Sequence, residues 1–173
     1  NNLAFLASHP VLSAAAVQME DEAEQEKLCN LDPKFEVDYF DLLPNFGDLL
    51  GEGGYSEVFE GKLADGRVCA VKKFRTISYD GDFPIDLRLV KREIVMLSMV
   101  DHPHIMRFFG ASVMLPNLCI CTELLRNGPL DNIVYGIKKV SIELDWAFCL
   151  RVARETAQAL DYLHKFTPCI IHR

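Results

Sequence analysis

The chain of 173 residues has no C-x-x-C pair among its six cysteines. No apolar run approaches the roughly 20 residues that span a bilayer. Positive charge is also short: 18 Lys and Arg stand against 25 Asp and Glu, a formal net charge of −7. Each shortage excludes something. Four of the six cysteines fall inside apolar strand or helix patterns, where a thiol acts as a small hydrophobe. Metal and disulfide chemistry are therefore not expected, and a reduced, intracellular and cytoplasmic compartment is. The acidic balance gives no surface for nucleic acid or an anionic membrane, so neither is expected as a partner.

What remains is globular in character. Half of the residues are hydrophobic and a quarter charged, too apolar for a disordered chain, and the length suits about one domain. The sequence opens on Asn1 rather than Met and stops on an apolar run, Cys169-Ile170-Ile171-His172-Arg173, so both ends read as fragment boundaries. Residues 1–17 are mildly apolar with no basic region, and 18–27 form an acidic stretch that reads as a linker or exposed helix. Residues 29–45 hold scattered aromatics that leave packing or linker open.

The informative stretch is 50–74. Leu49 and Leu50 lead into Gly51, Gly53 and Gly54, then a strand-like run to Leu63, an Asp65-Gly66 hairpin signal and a return run from Val68 to Phe74. Glycines let the backbone approach a ligand's phosphates and present N–H groups to them. On the return run Val68, Ala70, Lys72 and Phe74 alternate with Cys69, Val71 and Lys73. Lys72 thus shares a face with apolar residues, where an ammonium calls for an anion. Residues 85–100 carry a helical pattern (Leu87, Val90, Ile94, Leu97), with Asp86 at the positive end of the dipole. Glu93 lies on that apolar face, where an unpaired carboxylate is costly, so a cation should face it.

These residues resemble the amino-terminal part of a protein kinase, closest to the tyrosine-kinase-like serine/threonine kinases. Gly51-Glu-Gly53-Gly-Tyr-Ser56-Glu-Val58 resembles the glycine-rich loop, with Ser56 in place of the third glycine, and Ala70-Val71-Lys72 resembles the strand-three lysine motif. The resemblance implies that Glu93 pairs with Lys72 and aims it at the α/β-phosphates of ATP. The Coulomb term for such a pair is about 4 kcal/mol at ~4 Å and an effective dielectric near 20. It also makes Leu50, Val58 and Ala70 part of the nucleotide site, Thr122 the gatekeeper and Glu123 to Leu125 the hinge. Runs at 105–113 and 117–122 read as strands around Leu115-Pro116, and 145–165 as a helix with Cys149, Val152, Ala153, Thr156, Ala157, Leu160 and Leu163 on one stripe. His172-Arg173 resembles the opening of the His-Arg-Asp motif.

The fold implied is α+β: a kinase-like small lobe, with a five-stranded antiparallel sheet and one helix, followed by the first helices of the large lobe, truncated. Residues 1–45 are an extension or linker, partly disordered; 46–125 are the small lobe with hinge; 126–173 begin the large lobe. The implied function is transfer of the ATP γ-phosphate to Ser/Thr hydroxyls of protein substrates, with Mg2+ held by residues beyond 173. Residues 1–173 alone, lacking the catalytic Asp, are expected to be inactive and poorly stable. The alternative is a pseudokinase or truncated module that binds nucleotide or partners without chemistry. A dinucleotide-binding domain fits poorly, because such domains need a helix straight after the glycines.

Overall fold

The computed structural model describes residues 27–75, 86–135 and 145–172. The expectations for residues 1–26, for the first residue of the 85–100 helix, for 136–144 and for Arg173 lie outside the described residues. Five strands form one antiparallel sheet: β1 (Leu49–Glu52), β2 (Ser56–Lys62), β3 (Val68–Phe74), β4 (Phe108–Ser112) and β5 (Cys119–Glu123), in the order β1-β2-β3-β5-β4. The helices are α1 (Tyr39–Leu42), α2 (Leu87–Met99), α3 (Leu130–Val134) and α4 (Trp146–His164). This is the α+β small-lobe architecture that the sequence implied.

Local chemistry accounts for the connections. Between β2 and β3, Gly66 takes φ +90°, which its missing Cβ allows, and the Asp65 carboxylate accepts from the Arg67 N–H at 3.0 Å. Helix α2 starts at Asp86, whose carboxylate accepts from the Arg88 N–H at 2.9 Å; α4 starts at Asp145, which accepts from the Phe148 N–H at 2.6 Å. Strand β4 begins later than the apolar run suggested. Ile105 is drawn into a turn, its N–H donating to the His102 carbonyl at 3.0 Å, while the His104 N–H donates to His102 Nδ1 at 3.2 Å.

Each face of the sheet has its own cover. Directly paired residues share a face, so the pairs Val58–Lys72, Ala70–Thr122 and Lys72–Ile120 place these side chains on one side. Helix α2 covers that side, with Val90 and Ile94 packed among Phe74, Phe108 and Ile120. Cys69, Val71, Cys119 and Cys121 point to the other side, where Tyr39 and Leu42 bury them. Burial of such a side chain contributes about 1.5–3 kcal/mol.

The stretch that the sequence left open therefore packs. Residues 27–37 run along the outer edge of β4: the Leu28 N–H donates to the Val113 carbonyl at 2.8 Å, and the Val37 N–H to the Ala111 carbonyl at 3.0 Å. The approach is close at Gly110, where a Cβ would sit 2.6 Å from the Phe35 carbonyl oxygen.

Helix α4 departs from the expected stripe. Ala159 and Leu163 are buried, but Cys149, Ala153, Thr156 and Ala157 are exposed. Contact runs through its C-terminal half, where Tyr162 stacks on His102 with centroids 4.9 Å apart and its hydroxyl accepts from the Asp101 N–H at 3.1 Å. Periodicity marks a stripe; only a facing surface buries it.

Candidate nucleotide site

The Lys72 Nζ donates to Glu93 Oε1 at 2.7 Å and to Oε2 at 3.0 Å, so one ammonium spans both oxygens of the carboxylate. Lys72 stands on the central strand β3 and Glu93 on α2, whose position is fixed by Val90 and Ile94 against the sheet. The Phe74 ring lies below the ammonium, 5.1 Å from centroid to Nζ. The expected burial of this pair is corrected: the side chains keep 36% and 39% of their exposure. Glu93 falls at the rim of the α2 contact, one residue before buried Ile94. Water screens a half-exposed pair, so its contribution to stability is about 1 kcal/mol or less rather than the full Coulomb term. Its importance is positional.

Four of the other expected residues share the Lys72 face: Ser56 and Val58 on β2, Ala70 on β3 and Thr122 on β5, the last buried. Gly51 pairs with Val58 across β1 and β2. A Cβ at Gly51 would meet nothing within 4 Å, and one at Gly53 would meet only Ser56, at 3.6 Å or more. Among the described residues, no contact demands glycine at Gly51, and the space beside its Cα is open. Glu123 closes β5, its carboxylate accepting from the Arg107 N–H at 2.7 Å. Leu50 and Leu125 are exposed, as is His172. Among the described residues, no hydrogen bond or ion pair joins His172 to Lys72 or Glu93.

One feature of the site had no sequence signal. Arg75, just past β3, pairs with both Glu52 of β1 and Glu57 of β2, the latter at 3.0 Å, and its N–H donates to the Tyr55 carbonyl at 2.9 Å. Glu52 first and Glu57 second hold its guanidinium above its ordinary pKa. Neither hydrophobic period nor motif singles out this residue.

The clefts are modest. One of about 350 Å³ lies between residues 36–40 and Ser112, Met114 and Asn117, and none of the expected site residues lines it. A second, of about 290 Å³, involves Glu123 and Leu125 together with Ile105, Val152 and Thr156. Among the described residues, no group of three or more His, Cys, Asp or Glu could hold a metal ion.

Comparison with known proteins bears on the same stretch. Residues 45–173 match the protein kinase domain family. A probable serine/threonine-protein kinase of Dictyostelium discoideum is 32% identical over 79% of this chain and 14% of its own length. A putative serine/threonine-protein kinase/receptor of Acanthamoeba polyphaga mimivirus is 36% identical over 79% of this chain and 8% of its own. Cysteine-rich receptor-like protein kinase 46 of Arabidopsis thaliana is 36% identical over 88% of this chain and 24% of its own. The chain thus spans between 8% and 24% of the length of these relatives. With its small-lobe sheet and a match over three quarters of its residues, the chain belongs to the protein kinase family.

Proposed function

We propose that this chain is the ATP-binding part of a protein kinase that transfers the γ-phosphate of ATP to Ser/Thr hydroxyls of proteins. The observation that carries the reading is the Lys72–Glu93 pair on the face shared by Val58, Ala70 and Thr122, beside a glycine turn with open space above it. Lys72, held by Glu93, binds the α/β-phosphates as a fixed positive charge. The glycine-rich turn between β1 and β2 covers the phosphates, with Gly53 and Ser56 closing its neck. Leu50, Val58 and Ala70 enclose the adenine. Thr122 limits the depth of the pocket, and the backbone of Glu123 to Leu125 meets the purine edge. On this reading 46–125 form the small lobe and 126–173 begin the large one, and the transfer step belongs to the whole protein with Mg2+. Six free thiols favour an intracellular setting.

The test compares the full protein with its Lys72→Met variant, measuring Mg-ATP binding and phosphate transfer to a protein substrate. Loss of transfer in the variant supports the reading, and equal turnover in the two ends it. Nucleotide binding by the wild type with no transfer to any Ser/Thr substrate would favour a binding module instead.

A further inference from the structure

Glu52 and Glu57 are direct partners across β1 and β2, at the base of the glycine-rich turn. Like charges placed opposite one another on adjacent strands repel, and here they form the last pair of the ladder before the turn. The guanidinium of Arg75 contacts both carboxylates through Nη2, at 3.0 Å to Glu57 and closer to Glu52. Its own N–H holds the Tyr55 carbonyl at 2.9 Å, so side chain and backbone grip the same turn. Within the turn, the Gly53 N–H donates to the Ser56 carbonyl at 2.8 Å.

We propose that Arg75 is a positioning residue for nucleoside triphosphate binding: by neutralising Glu52 and Glu57 it keeps β1 seated on β2 and so sets the height of the glycine turn over Lys72. Without it, two facing carboxylates push β1 away from the sheet, and the backbone N–H groups leave the phosphates. The last step rests on the nucleotide reading above; the tie between the strands does not.

The experiment uses the full protein and two readouts. Hydrogen exchange at the Gly53 amide, without nucleotide, rises about two- to thirtyfold in Arg75→Ala, the range that two exposed ion pairs support. Exchange in the β2–β3 ladder stays put. Adding Glu52→Gln to Arg75→Ala relieves the repulsion and restores Gly53 protection to within about twofold. The dissociation rate of a fluorescent ATP analogue rises and recovers in parallel. Unchanged Gly53 exchange in Arg75→Ala, or no recovery in the double variant, overturns the tie. Changed exchange with an unchanged dissociation rate overturns the positioning role. A wild type that binds no analogue overturns the nucleotide reading, and exchange alone then decides the tie.

Discussion

A Cβ on Gly110 would lie 2.6 Å from the Phe35 carbonyl oxygen and 2.7 Å from a methyl of Val37. Residues 27–37 can lie along β4 only because position 110 has no side chain. Gly110→Ala is therefore expected to destabilise the protein by about 1–3 kcal/mol, as overpacking does, and to open residues 27–46 to protease. Chemical denaturation and limited proteolysis check both. An alanine variant as stable as wild type would show that the strap moves aside at little cost.

The Lys72–Glu93 pair is expected to matter little for stability. Both side chains are half-exposed, so Glu93→Gln should shift unfolding by about 1 kcal/mol or less. On the proposed reading, phosphate transfer by the full protein should fall much further, since Lys72 loses the group that orients it. Denaturation and turnover measured on one preparation separate the two effects.

Thiol chemistry should divide the cysteines two against four. Cys149 and Cys169 are exposed, whereas Cys29, Cys69, Cys119 and Cys121 are buried. Hydrogen bonding by Cys119 and Cys69, together with burial, pushes the Cys121 thiol upward, away from the reactive thiolate. A thiol reagent should modify Cys149 and Cys169 rapidly in the native protein, the rest only on unfolding. Mass spectrometry of the labelled peptides checks this, and rapid labelling of Cys121 would contradict the burial described.

Acid should loosen the start of α2. Side-chain and backbone hydrogen bonds from Arg88 hold the Asp86 carboxyl below its ordinary range. A carboxyl depressed in the folded state stabilises above its unfolded pKa, and that contribution fades as pH falls through the lowered folded value. The stability difference between wild type and Asp86→Asn should therefore shrink in acid. Denaturation at neutral and at acid pH reads it directly, and a constant difference would count against the cap.

The sheet and its helix were legible because their signals are local. Asp65-Gly66 specifies the hairpin, and alternation from Val68 to Phe74 sets the Lys72 face. The three- and four-residue steps around Val90 and Ile94 set the helix. The Lys72–Glu93 contact was legible because an ammonium and a carboxylate each sat on an apolar face in need of an opposite charge. Arg75 was not, since its partners lie 18 and 23 residues away in a register that only pairing fixes. The packing of residues 27–46 depended on Gly110, whose role appears only when two distant segments meet. Helix α4 shows the converse: Cys149, Ala153, Thr156 and Ala157 keep perfect spacing and stay exposed.

Among the described residues, the strap along β4 leaves β1 as the sheet's other outer strand. An uncovered rim invites a neighbouring molecule's strand to add on, most readily where it is long and flat. β1 has four residues, a register shift between Leu49 and Gly51, and a charged end at Glu52. So short, irregular and charged a strand makes a poor template for self-association.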